Sequence, residues 1–280
     1  MTLATTAELI RRATANGVGL PAFNVITLEH AEAIAAGAER AGCSAVLQIS
    51  ENAVKFHGGR LRPIAAATAE VARQSGVDLS VHVDHVEDPG VLHQAADTGI
   101  SSAMFDASHL DYDANVAATR EAAQWAHDRG MLLEAELGKV GGKDGAHAPG
   151  VRTDPLEAAS FVAATDVDAL AVAVGSSHAM VERTAAVDLA LIRVLAEALP
   201  VPLVLHGSSG VSDAMLAEAV AAGMVKINIG TILNVSWTGA IRRVLEADRA
   251  AVDPRSYVRP ARDAVTDVVA RLCAVVGSRS

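Results

Sequence analysis

Residues 202–231 read PLVLHGSSGVSDAMLAEAVAAGMVKINIGT. An apolar run at 202–206 ends in a histidine and a turn of small residues. Ser212 then stands where a helix N-cap belongs, ahead of an Ala-rich stretch at 212–222 with apolar residues at helical spacing. A second apolar run, 224–228, again ends in a small polar turn. This is a strand, a helix and the next strand, with polar residues gathered after each strand. The unit recurs upstream. Strands are expected at 20–24, 45–49, 79–83, 101–105, 131–136 and 168–174. Helical patterns lie at 27–41, 61–75, 88–98, 111–129, 154–165 and 187–199, with Thr27, Asp111, Asp154 and Asp188 at N-cap positions. Strands that each lead into a helix predict an α/β fold, a closed (β/α)8 TIM barrel. The barrel is expected to be a single domain over 1–280 with a C-terminal helical tail. The rival, an open doubly wound sheet, often announces itself with a Gly-rich turn after strand one. Here that strand runs into NVITLEH (24–30).

The bulk properties agree. The chain has 280 residues, and such barrels typically use about 250. It is 51% hydrophobic, enough for a large core. A formal net charge of -10 argues against nucleic acid or an anionic membrane as partner. The two cysteines, Cys43 and Cys273, form no CxxC pair and imply no disulfide framework, so a reducing, cytoplasmic location is expected. No leader-like segment opens the chain, and no apolar run reaches the ~18 residues of a spanning helix. The long loop GKVGGKDGAHAPGVRT (138–153) reads as a lid or as a plain flexible crossover.

In such a barrel, chemistry gathers at the C-terminal ends of the strands. Every expected strand has polar residues there: Asn24; Gln48 and Ser50; Asp84 and His85; Asp106 and Ser108; Glu134 and Glu136; Ser176 to His178; His206 to Ser209; Asn228 to Thr231. Of ten histidines, His30, His57, His93, His109, His127 and His147 read as surface, and His82 as a satisfied core residue. His85, His178 and His206 follow strands three, six and seven, which closure brings to one rim. Any one of them alone would read as ordinary. Three imidazoles at one mouth match a zinc site with an open fourth position. Asp84 reads as an acid/base beside that metal or as a plain N-cap or salt bridge. Glu134 and Glu136 share a face by period two, and paired carboxylates on a buried strand are costly unless a cation or base engages them. HGSSG (206–210) and NIGT (228–231) follow strands seven and eight, where barrels commonly bind phosphate, although ordinary turn chemistry would also use such residues.

In order along the chain, AFNV (22–25), VDH (83–85), SAMFDASH (102–109), EAELGKVGG (134–142), VGSSH (174–178), LHGSSG (205–210), KINIGT (226–231) and DPRSYVRPARDAV (253–265) resemble the class II, metal-dependent fructose-bisphosphate and tagatose-bisphosphate aldolases. The resemblance implies a zinc-dependent lyase that cleaves a ketose 1,6-bisphosphate to dihydroxyacetone phosphate and glyceraldehyde 3-phosphate. It implies His85, His178 and His206 as zinc ligands, with Glu136 as a second or resting-state ligand. Asp84 would move the proton on the aldehyde-derived oxygen. Asn24 and Ser50 would position the triose. Gly207, Ser208, Ser209, Asn228, Ile229, Gly230 and Thr231 would hold the dihydroxyacetone phosphate end, assisted by a monovalent cation such as Na+ or K+. Arg255 looks like the arginine that enters a neighbouring subunit's site, which implies a homodimer or homotetramer. Three positions depart from the family pattern. Ala179 replaces a glycine beside the strand-six histidine. Asp144, in GGKDG, stands where a loop glutamate is usual for the triose proton. Ile232 replaces a frequent acid. Altered substrate preference or a slower proton step would follow.

Three rivals remain open. A metal-free Schiff-base aldolase would need a desolvated lysine, and Lys226 shares a face with Asn228. The same metal site could act on another sugar phosphate that yields dihydroxyacetone phosphate. A non-catalytic aldolase-like subunit would explain the altered loop.

Overall fold

The computed structural model describes residues 3–96, 98–137, 152–176 and 186–278. Eight parallel strands close into one barrel in chain order: β1 (Leu20–Asn24), β2 (Ala45–Ser50), β3 (Leu79–Val86), β4 (Ser102–Phe105), β5 (Leu132–Glu136), β6 (Ala169–Ala171), β7 (Leu203–Leu205) and β8 (Met224–Ile229), with β8 pairing back onto β1. The helices are α1 (Thr6–Asn16), α2 (Leu28–Ala41), α3 (Glu51–Phe56), α4 (Leu61–Gln74), α5 (Pro89–Gln94), α6 (Tyr112–His127), α7 (Pro155–Thr165), α8 (Leu189–Ala198), α9 (Asp213–Ala222), α10 (Thr231–Ala247) and α11 (Pro254–Val276). This is the expected (β/α)8 barrel. Among the described residues no helix is long and apolar enough to cross a membrane.

The expected caps hold, with one exception. Asp111, Asp154, Asp188 and Ser212 each accept a hydrogen bond from a first-turn amide of their helix. Thr27 precedes α2 but caps nothing, because its hydroxyl donates to Glu29 Oε2 at 2.8 Å. Two helices expected from no motif also form. The short α3 starts at Ser50, whose Oγ accepts from the Ala53 amide. The N-terminal α1 lies under the barrel.

Alternation along the strands sorts the side chains. Phe23, Leu47, Val81, Leu133, Leu170, Leu205 and Ile227 point outward into the main core between strands and helices. Leu20, Ala22, Val46 and Leu132 form an inner cluster under α1, and Met104, Ala169, Ala171 and Val204 form another inside the barrel. The floor of the barrel is closed by α1. The Thr6 hydroxyl donates to Ser80 Oγ at 3.0 Å and accepts from Ser102 Oγ at 2.6 Å, while the Thr6 amide donates to Ser101 Oγ. The C-terminal α11 packs along α2. A Cβ at Gly37 would sit 2.6 Å from Val269, so glycine lets the two helices meet.

Several sequence expectations need correction. His30 is buried, stacked on Trp237 of α10 at 4.3 Å, and burial lowers its pKa to about 4. An Ala-rich α2 face reads as solvated until α10 is laid over it. His57 is partly buried, with Nε2 2.7 Å from the Ile26 carbonyl. His82 is only half satisfied. Its Nδ1 meets Ser102 Oγ at 2.8 Å, but its buried Nε2 has no hydrogen-bond partner among the described residues. The cysteines, remote in sequence, come together, as described below. The expected loop at 138–153 lies outside the described residues except for Arg152 and Thr153.

Candidate active site

The C-terminal mouth holds a cavity of about 400 Å³. Its lining includes Asn24, Gln48, Ser50, Asp84, His85, Asp106 and His206, together with Gly207 to Ser209 and Asn228 to Thr231. Most of these residues lie on the inward face by plain alternation: Asn24 on β1, Gln48 and Ser50 on β2, Asp84 on β3 and Asn228 on β8. Glu136 on β5 is buried at the same level.

His85 breaks that pattern. On β3 the even positions face inward, so His85 should point at the helices. Its backbone is left-handed, at φ 48°, and the β3–β4 register shifts between Val83 and Val86. A non-glycine residue rarely adopts that conformation, and such strain concentrates at functional sites. Here it turns His85 inward beside Asp84. The His85 Nε2 lies 2.9 Å from His206 Nδ1, and its Nδ1 lies 3.0 Å from Asp106 Oδ2.

Two donor sets centre on His85. Ligand-type atoms of Asp84, His85 and His206 lie within 4.8 Å of one another, as do those of His85, Asp106 and Glu136. Imidazole and carboxylate suit zinc, cobalt or manganese. Burial favours the neutral form of His85, but Asp84, Asp106 and Glu136 outweigh it and raise its pKa to about 10. Burial likewise opposes ionisation of Asp106, yet the bonds from His85 and Ser108 hold its carboxyl below the usual range. A cluster this acidic is suited to a cation.

Beneath the histidines lies a buried ion pair. Lys226 Nζ is 2.7 Å from Glu134 Oε2, and Glu134 Oε1 is 3.0 Å from His206 Nε2, with all three side chains fully buried. The carboxylate thus fixes His206 through the ring nitrogen that faces away from His85. A carboxylate behind a ligating histidine is the usual way to set its tautomer. The same pair bears on the Schiff-base reading, since Lys226 is bound to a carboxylate instead of standing free as a nucleophile. Asp84 is equally fixed. Gln48 Nε2 and Asn228 Nδ2 lie 3.3 and 3.2 Å from its two oxygens, and burial raises its pKa. Gln48 also donates to Asn24 Oδ1 at 2.5 Å. Sequence reading placed Gln48 and Asp106 at strand ends without giving them a task. Their inward parity and their position beside Asp84 and His85 were the available signals.

The β7 and β8 turns form the other wall. Gly207 is left-handed at φ 67° and opens a 3-10 turn over Ser208–Gly210. Ser208 Oγ donates to the Asn228 carbonyl at 2.5 Å, and Ser209 Oγ accepts from the Ile232 amide at 3.2 Å. A Cβ at Gly230 would lie 2.8 Å from Asn24 Nδ2, so glycine at the start of α10 leaves the Asn24 amide its place. The N-terminus of that 17-residue helix opens on the cavity, and Thr231 lines it. Such a terminus favours an anion. The buried acceptors Gln48 Oε1 and Asn228 Oδ1 have no partner among the described residues.

Other expected residues are not brought to this cavity. Arg255 is exposed at the start of α11, away from the cavity lining, and pairs with Asp253 at 2.7 Å. His178, Ala179 and Asp144 lie outside the described residues.

Comparison with known proteins gives a consistent answer. A family model described as "Fructose-bisphosphate aldolase class-II" matches residues 4–280. A fructose-bisphosphate aldolase of Thermus caldophilus is 33% identical over 303 residues, covering 99% of this chain and 98% of that protein. The YdjI aldolase from Escherichia coli K12 superposes with a TM-score of 0.85 at 28% identity, covering 100% of this chain and 99% of that one. A fructose-bisphosphate aldolase from Campylobacter jejuni shares the fold, with a TM-score of 0.82 at 19% identity over 99% and 96% of the two chains. The chain belongs to the class II fructose-bisphosphate aldolase family and is a lyase.

Proposed function

We propose that the chain is a zinc-dependent ketose-bisphosphate aldolase, cleaving fructose 1,6-bisphosphate or tagatose 1,6-bisphosphate to dihydroxyacetone phosphate and glyceraldehyde 3-phosphate. The observation that carries this reading is the inward turn of His85, which places it in two donor sets at the mouth, one with Asp84 and His206 and one with Asp106 and Glu136. His85 and His206 would hold the ion, with His178 as third ligand and Glu136 as a second or resting-state ligand. A bound divalent ion supplies Lewis-acid polarisation of the ketose carbonyl.

The protein's own groups do the rest. Cleavage needs the proton removed from the C4 hydroxyl as the C3–C4 bond breaks. Asp84 takes that proton and returns it in the condensation direction. The Gln48 and Asn228 amides aim its oxygens, and burial makes it a stronger base than a free aspartate. Asn24 and Ser50 position the triose. The first phosphate docks against Gly207, Ser208, Ser209 and the stretch Asn228, Ile229, Gly230 and Thr231, where the α10 N-terminus offers positive charge. By the family resemblance Ala179 would serve the same subsite, and a Na+ or K+ ion would assist there. Asp144 would move the triose proton. Arg255, exposed and outside its own chain's cavity, would bind the second phosphate in a neighbouring subunit of a homodimer or homotetramer, in the cytoplasm. The whole of 1–280 then acts as one barrel domain.

The test is release of dihydroxyacetone phosphate from each sugar by the zinc-loaded protein. Turnover of either bisphosphate is expected. Silence on both, with zinc bound, would overturn the substrate assignment and leave another sugar phosphate that shares the triose half, or lost turnover.

A further inference from the structure

At the opposite end of the barrel lies a second cleft, of about 270 Å³, lined in part by Cys43, Cys273, Arg12, Asn16 and Ser44. Cys43 follows α2 directly after Gly42, whose left-handed backbone (φ 62°) ends the helix. Cys273 lies in the last turns of α11, the helix packed along α2. The fold therefore joins two thiols that are almost a full chain length apart. Both line this one cleft, and the Cys43 thiol donates to the Ser44 carbonyl at 3.2 Å. One turn beyond Cys273, Gly277 presents no side chain. A Cβ there would lie 2.5 Å from Cys43 Sγ, so glycine at this position leaves the Cys43 sulfur its place against the end of α11.

We propose that Cys43 and Cys273 form an oxidisable dithiol that closes to an intramolecular disulfide, joining the end of α2 to the end of α11. The site is independent of the aldolase chemistry at the other end of the barrel. The two sulfurs have different tasks. Cys43 is partly exposed on the cleft, whereas Cys273 is buried. The neighbouring Cys273 thiol lowers the Cys43 thiol, and the neighbouring Cys43 together with burial raises Cys273. Thiolate fraction and access govern thiol reactivity, so Cys43 attacks first. With hydrogen peroxide as oxidant, the Cys43 thiolate attacks one peroxide oxygen and the O–O bond breaks. The departing hydroxide takes up a proton to become water, and Cys43 is left as a sulfenic acid. Cys273 then gives up its proton and its sulfur attacks Cys43 Sγ. The S–S bond forms, the S–O bond breaks, and a second water leaves. Two thiols are oxidised and one peroxide is reduced.

The experiment treats the full, reduced chain with hydrogen peroxide, blocks remaining thiols with iodoacetamide and digests with trypsin without reduction. Peptide 41–55 is expected joined to peptide 272–279, with two hydrogens lost. The linked chain should melt about 5–10 °C higher, reversed by dithiothreitol. Cys273→Ser should trap a dimedone-reactive sulfenic acid at Cys43. In Cys43→Ser, Cys273 should oxidise at least about tenfold more slowly than in the parent. The proposal is overturned if both cysteines are recovered alkylated, if links form only between chains, if the linked chain melts no higher, or if Cys273 reacts as fast without Cys43.

Discussion

The two ends of this barrel are built from the same alternation of inward residues and put it to different use. At the floor the inward polar groups are mostly hydroxyls, Thr6, Ser80 and Ser102, and they satisfy one another. A hydroxyl both donates and accepts, so Thr6 bonds both serines at once. At the mouth the inward groups are carboxylates, imidazoles and amides. Carboxylates only accept, and Gln48 Oε1 and Asn228 Oδ1 remain without partners among the described residues. The backbone departs most at the mouth, where β3 carries the left-handed His85 and a register shift; a second shift falls at the start of β7, between Leu203 and Val204. Hydroxyls bonded to one another hold the fold together; an acid-rich, partly unsatisfied set is suited to a cation and a polar ligand.

That contrast can be broken at chosen points. The largest effect is expected from Asp84→Asn, which should lower kcat by about a hundred- to ten-thousand-fold while zinc content stays unchanged. Asp84 is raised by burial and acts as a base, so wild-type cleavage should fall as pH drops through a value above that of a free aspartate. The pH-rate profile of the variant should lack that limb. An unchanged profile would remove Asp84 from proton transfer.

Lys226→Met should come next. It leaves Glu134 buried beside His206 without its cation, costing about 3–5 kcal/mol in denaturant unfolding. Zinc affinity should also fall about 10–100-fold as His206 loses its fixed partner. The double variant Lys226→Met/Glu134→Gln should regain much of the stability but not the affinity. If Lys226→Met keeps full affinity, the pair does not orient His206.

Thr6→Val should have the smallest effect, about 1–3 kcal/mol of stability, because Ser80 and Ser102 lose a shared partner. Its kcat should equal that of the parent. A change in kcat would mean that floor and mouth are coupled.

Much of this molecule was legible in the sequence, and the exceptions have physical causes. The strand β1 and the helix α9 stand out because period-two and period-3.6 patterns depend only on neighbours along the chain. Four of five proposed caps hold for the same reason. Glu134 was singled out as costly without a cation, and Lys226 supplies one. What escaped depends on contacts between distant segments. His85 was placed at the rim, but the means escaped: alternation alone points it outward, and the left-handed backbone at that residue turns it in. His30 reads as surface until Trp237 is stacked on it. Cys43 and Cys273 look unrelated until α11 lies along α2. Arg255 was read as serving a neighbouring subunit, and its exposure away from its own cavity leaves that proposal standing.

The central claim is that a metal ion held at the mouth drives cleavage. The most direct measurement is turnover of fructose 1,6-bisphosphate and tagatose 1,6-bisphosphate before EDTA, after EDTA and after zinc is restored, with His206→Ala alongside. Activity should vanish with chelation and return with zinc, and His206→Ala should hold neither zinc nor activity. Turnover that survives EDTA, or full activity in His206→Ala, would contradict the claim.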